Sequence, residues 1–250
     1  MHTNLCDGKN TIKEMIEASI DLGCEEIGFS GHSYLKFDPD WTMSPSSACE
    51  YRSTLRTMQK KYGDKISIKI GIEQDFMSAT EELPLYDYVI GGVHCLEKNG
   101  KYISVDESAK RQLKAIEEVY DGDAMAFAED YFDTVAKIYD RTRCNIIAHF
   151  DLINKFGLID TDNPRYIAAE KKAFDTLIKT PAIFEINTGA ISRGYADEPY
   201  PNKRVLGYLS AHNAKVILSS DSHSVDTILF GFDKAEALAE SYGLEILRKI

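Results

Sequence analysis

Three observations predict an α/β barrel. Short apolar runs that read as buried strands alternate with amphipathic stretches that read as helices, without linker, short-period repeat or low-complexity tract. Such alternation implies a parallel sheet with helical crossovers. Nearly every apolar run also leads to a histidine or a carboxylate. The run 27–30 leads to His32, 68–72 to Glu73, 88–93 to His94, 146–148 to His149, and 216–218 to Asp221 and His223. A barrel gathers residues from all its strand ends on one face, whereas an open doubly wound sheet concentrates its site at one switch point. Finally, no G-x-G-x-x-G and no G-x-x-x-x-G-K-[ST] is present, so a nucleotide-cradling loop has no support.

The elements follow in order. Thr11 and Glu14 form a capping box, Met15, Ile16, Ile20 and Leu22 follow, and Gly23 supplies the stop, so a helix fills this stretch. A strand over 26–30, a helix over 46–62 ended by Gly63, and strands over 66–72 and 88–92 come next. Two helices are expected over 106–120 and 124–141, with Gly122 between them, before a strand over 145–148. Pro164 suits the first turn of a helix running to Lys179. A strand over 182–186, a helix over 203–213, a strand over 216–219 and a helix over 233–242 complete the chain. This gives about six strands, and a seventh if one lies ahead of residue 1.

The 250 residues suit one barrel domain spanning 1–250 and are enough to bury a sizeable core. Hydrophobic and charged shares of 44% and 28% are ordinary for a soluble globular chain. A formal charge of −11 argues against nucleic acid as the partner, because phosphate-rich surfaces recruit Lys and Arg. Five cysteines (Cys6, Cys24, Cys49, Cys95 and Cys144) form no C-x-x-C pair and no even disulfide set, which fits a reducing cytoplasm. Cys95 beside His94 and Cys6 beside Asp7 are read as small packing residues. No stretch approaches a membrane span and no secretory signal opens the chain, so a membrane partner is not expected.

Any one of these histidines alone would pass for a satisfied buried side chain. Jointly, imidazoles and carboxylates at separate strand ends are what a multinuclear metal site requires. His212, set inside a helical stretch and following no strand, is excluded as a surface or structural residue.

The segments HTNLCDG at 2–8, GFSGHS at 28–33, GIEQDF at 71–76, GGVH at 91–94, IAHFDLI at 147–153, EINTG at 185–189 with Arg193, and SSDSH at 219–223 occur in one order across nearly the whole chain. In this ordered set the chain resembles the polymerase-and-histidinol-phosphatase (PHP) superfamily, and within it the histidinol-phosphatase-like group. The resemblance implies a distorted seven-stranded (βα) barrel, its first strand largely missing here, with a trinuclear site. On that pattern His2, Glu73 and Asp221 hold one ion, Glu73, His94 and His149 a second, and Asp7, His32 and His223 a third. Two departures stand out. The family opens with H-x-H, whereas here Met1 takes the middle position. Gly31 stands where the family often has an aspartate before the motif histidine, an acid expected to steady His32.

Arg193, in the loop after the strand ending near Asn187, offers a fixed fork for a phosphate, with Arg165 and Lys155 as weaker candidates. The resulting expectation is a phosphomonoesterase using two or three divalent ions (zinc, manganese or iron). It acts on a small ester, foremost L-histidinol phosphate, in histidine biosynthesis. Arg193, Asp221 and His223 are its catalytic residues, Asp221 or His223 protonating the leaving oxygen. The alternatives are a PHP phosphoesterase acting on nucleotides or phosphotyrosine, and a metal-binding protein with impaired catalysis.

Overall fold

The computed structural model describes residues 1–78 and 83–250. Its centre is a parallel sheet of seven strands. Helix α1 (Ile12–Asp21), closed by the Thr11–Glu14 capping box, leads into β1 (Glu26–Phe29). Helix α2 (Pro45–Tyr62), capped by Ser44, leads into the long β2 (Ser67–Asp75), and β3 (Tyr88–Gly92) follows. An antiparallel hairpin, β4 (Cys95–Lys98) and β5 (Lys101–Ser104), then leaves the sheet. Helices α3 (Ala109–Val119), α4 (Ala124–Val135) and α5 (Ile138–Thr142) precede β6 (Ile146–Ile147). Helix α6 (Pro164–Leu177), β7 (Ile183–Asn187), the short α7 (Gly189–Ser192) and α8 (Lys203–Ala211) come next. Strand β8 (Lys215–Ser219), α9 (Phe232–Ser241) and β9 (Glu245–Leu247) end the order.

The sheet runs β1-β2-β3-β6-β7-β8-β9 and curls into a half-barrel. The curl is visible at its ends. His32, just past β1, and His223, just past β8, have ring centroids 6.1 Å apart although four strands separate β1 from β8. Residues 1 and 2 lie in the seam between them: Ser30 N–H donates to the Met1 carbonyl and His2 N–H to the Ser222 carbonyl.

Alternation along the strands divides the apolar residues into two cores. On β3 and β6, Tyr88, Ile90, Ile146 and Ala148 form a small cluster in the concave interior, with Ile183 and Ile217 packed against it. The intervening Val89 and Ile147 belong to the larger core between sheet and helices, with Met15, Ile16, Leu55 and Phe174. The Tyr88 ring lies across β2 so closely that a Cβ at Gly71 would sit 2.3 Å from it, and its hydroxyl donates to the Phe29 carbonyl at 2.8 Å. The floor of the half-barrel is therefore apolar, and the polar inward positions begin one step further along each strand.

Several elements depart from the sequence reading, among them β2, expected to end at 72 and running to Asp75, and the unexpected short α7. The stretch expected as one helix over 124–141 divides into α4 and α5, which lets Ile138 reach the bare backbone of Gly91 on β3. The helix expected from 106 begins at Ala109, because Ser108 takes the cap. The hairpin was not anticipated, although Asn99-Gly100, both at positive φ, is a strong turn signal. The seventh strand in the sheet is β9, which the sequence reading did not place.

Candidate metal centre

The C-terminal ends of the strands carry the site. On β2, side chains two apart share a face, so Gly71, Glu73 and Asp75 all point into the half-barrel, with Glu73 at its centre. One carboxylate oxygen of Glu73, Oε1, lies 3.3 Å from His94 Nε2 and 3.1 Å from His149 Nε2. The other, Oε2, lies 3.3 Å from His2 Nε2 and 3.6 Å from His32 Nδ1. A single carboxylate thus faces four imidazoles, two on each oxygen. Asp221, past β8, approaches His2 Nε2 at 3.1 Å. Asp7 lies 3.1 Å from His223 Nε2 and 3.7 Å from His32 Nε2.

The residues nominated as ligands therefore come together, and all but His149 fall into three overlapping groups. His2, Glu73 and Asp221 form one, and His2, Asp7, His32 and His223 another. The third joins His32, Glu73 and His94, whereas the expected set paired Glu73 and His94 with His149. His149 remains beside the same Glu73 oxygen, so His32 is an addition to this neighbourhood and His149 is not displaced from it.

The donor chemistry fits divalent cations. His94 Nδ1 lies 3.1 Å from Asp75 Oδ2, which also accepts the His94 backbone N–H at 2.9 Å. Burial pushes His94 down, but Asp75 and Glu73 outweigh it and hold the imidazole above its ordinary range. With Nδ1–H donated to Asp75, displacement of the Nε2 proton would leave a lone pair for a cation shared with Glu73 Oε1. Gly92 keeps this space open. A Cβ there would sit 3.0 Å from both Glu73 Oε1 and His94 Cε1. Burial pushes His32 down to about 3, with His2 adding to it, so this imidazole is neutral as a ligand must be. Burial pushes Glu73 up, but His32, His149, His2 and His94 outweigh it and hold the carboxyl well below its ordinary range. Burial likewise raises Asp221, and Arg193, His2 and His223 outweigh it.

Arg193 caps α7 at the rim, where Nη2 lies 2.8 Å from Asp221 Oδ2 and Nη1 donates to the Asp221 carbonyl at 3.1 Å. Of the weaker candidates, Lys155 pairs with Asp106 at 3.0 Å in the same cavity. Arg165 is committed to Asp123 and Glu129 on an exposed face. His212 caps α8 and is exposed, as expected of a structural residue. Cys95 is buried, and Cys6 places its Sγ 3.7 Å from His2 Nδ1. At Gly31, the Met43 sulfur would lie 2.9 Å from any Cβ, so the space of the expected aspartate is filled. His32 is braced by Trp41 instead, edge-on at 4.7 Å.

Sequence reasoning missed Asp75 and Glu185. Glu185 is buried and accepts the His149 backbone N–H at 2.8 Å and the Asn187 side-chain amide at 2.7 Å. The signal for Asp75 was strand alternation, since it sits two residues beyond the inward Glu73.

Comparison with known proteins agrees with this architecture. The profile of the PHP domain matches residues 1–189, and the chain belongs to that family. It is 26% identical to a "Probable histidinol-phosphatase" of Deinococcus radiodurans, over 96% of this chain and 90% of that protein. It is 23% identical to the histidinol-phosphatase of Bacillus subtilis, over 93% of this chain and 95% of that one. Among solved structures, HisK from Listeria monocytogenes superposes with a TM-score of 0.81 at 22% identity, covering 93% of this chain and 97% of that one. Histidinol phosphate phosphatase from Lactococcus lactis, solved with zinc, L-histidinol and phosphate, gives 0.70 at 21% identity over 100% and 96%.

Proposed function

We propose that this chain is a metal-dependent phosphomonoesterase that hydrolyses L-histidinol phosphate to L-histidinol and phosphate, a step of histidine biosynthesis. The observation that carries the reading is Glu73, one carboxylate between four imidazoles, with Asp221 and Arg193 alongside. Full-length similarity to proteins named histidinol-phosphatase supports the substrate. No helix among the described residues is long and apolar enough to cross a membrane, and the five cysteines are free, which supports a cytoplasmic enzyme.

In this reading His2, Glu73 and Asp221 hold one ion, Glu73, His94 and His149 a second, and Asp7, His32 and His223 a third. Zinc, manganese or iron suits this mixed imidazole and carboxylate set. Bound ions would supply Lewis-acid charge and make hydroxide available from water at neutral pH. The chain's own groups do the rest. Arg193 releases one arm from Asp221 and forks onto two phosphate oxygens, where charge is held during an in-line displacement. Asp221, ionised at neutral pH, accepts the proton of the attacking water at Oδ2. His223, whose Nδ1 lies 2.8 Å from the Asp221 carbonyl and whose Nε2 faces Asp7 as an ion ligand, has both ring nitrogens engaged, so the proton taken up by Asp221 is the one returned to the leaving alkoxide.

The test is phosphate release by zinc- or manganese-loaded protein from L-histidinol phosphate, adenosine monophosphate and phosphotyrosine. The reading expects the highest kcat/KM for histidinol phosphate and loss of activity on chelation, restored by the metal. A higher kcat/KM for either other ester would assign the site to a different phosphate, and activity indifferent to chelation would remove the metal from it.

A further inference from the structure

The metal centre forms only one end of a cavity of about 980 Å³. The far end is built by the segment after His32 and by the hairpin after His94. Phe37 and Tyr102 stack across it with ring centroids 3.7 Å apart and planes at 1°. Trp41 stands at the inner end of this wall, edge-on to His32 at 4.7 Å and to His94 at 5.2 Å. A flat, partly apolar leaving group lies against such a wall when its phosphate is at Arg193.

Charge compensation singles out one residue within this cavity. Most carboxylates that line it have a basic partner: Asp106 has Lys155, Glu107 has Arg111, Asp221 has Arg193, and Asp7 faces the His223 imidazole. The exceptions among the described residues are Asp38 and Asp40, on the segment that carries Phe37 and Trp41. Asp40 is exposed, whereas Asp38 is half-buried.

We propose that Asp38 is a specificity-determining residue, its carboxylate receiving the protonated amine of an amino-alcohol phosphate whose ring lies along Trp41 and the Phe37–Tyr102 stack. This deepens the phosphatase reading and rests on it. A charge-assisted contact in a partly dry cavity rewards the amine and leaves a neutral ester unpaired with an anion. Asp40, in open solvent, adds little.

The experiment crosses two substrates with two variants. The substrates are L-histidinol phosphate and its des-amino analogue, which keeps the imidazole and the phosphate. The metal-loaded full chain is compared with Asp38→Asn and Asp40→Asn, and the readout is the ratio of kcat/KM between the two esters. The parent should favour the aminated ester by about tenfold or more, Asp38→Asn should lose most of that preference, and Asp40→Asn should keep it. Should Asp38→Asn not fold, Asp38→Ser carries the same comparison. A preference that survives removal of the Asp38 charge overturns the proposal, as does a parent enzyme that turns over both esters equally. In that last case the phosphatase reading stands, whereas a parent that cleaves neither ester sinks the phosphatase reading itself.

Discussion

The two sides of Glu73 differ in kind. On the Oε1 side, His94 and His149 are 7% and 5% exposed and each loop is pinned by a further carboxylate, Asp75 for the His94 ring and Glu185 for the His149 backbone. On the seam side, His2 and His32 beside Oε2 are as buried, at 1% and 7%, but the carboxylates and imidazole beyond them open to the rim: Asp7 is 32% exposed, His223 22% and Asp221 13%, beside Arg193 at 32%. Buttressed, dry ligands lose little entropy on binding an ion and hold it in one geometry. Open ligands beside a movable arginine are suited to admitting a phosphate and exchanging partners during turnover. In the proposed reading, retention of metal falls to the buried side and chemistry to the open side.

The comparison can be broken at Glu73, which belongs to both sides. Glu73→Ala should lower phosphatase activity by more than ~1000-fold, and metal analysis should show loss of more than one ion per chain. Loss of a single ion would mean that the carboxylate serves only one side. Asp75→Asn sharpens the comparison on the buried side alone. It removes the acceptor that fixes the His94 ring, and metal affinity measured by chelator competition should fall about 10–100-fold. An unchanged affinity would make Asp75 a packing residue. Arg193→Ala probes the open side. It should cost about 2 kcal/mol in kcat/KM, roughly 30-fold, with metal content intact. If metal is lost together with activity, Arg193 acts through Asp221 and not on the phosphate.

Much of this was legible in the sequence because strand ends are marked chemically. An apolar run followed by a histidine or acid announces both the strand and the inward residue, and that rule found Glu73, His94, His149 and Asp221. It found His32 through the same logic, although the ring sits three residues past β1. Residues that act on other residues carry no such mark. Asp75 reads as one acid among forty Asp and Glu, and only its alternation with Glu73 sets it apart. Glu185 lies inside a run that reads simply as strand. The β4–β5 hairpin and β9 escaped for a different reason. Both are short, three or four residues per strand, and their pairing partners are fixed by tertiary position more than by local pattern. The closure of the seam by Met1 and His2 is a tertiary fact as well, set by where β1 and β8 bring Ser30 and Ser222.

The most direct test of the two-sided centre is anomalous diffraction from crystals of the zinc-loaded protein. The account predicts at least two metal peaks sharing Glu73. One lies between Oε1, His94 and His149, and the other between Oε2, His2 and Asp221, with the first showing the higher occupancy after partial chelation. A single peak, or peaks that Glu73 does not bridge, would contradict it.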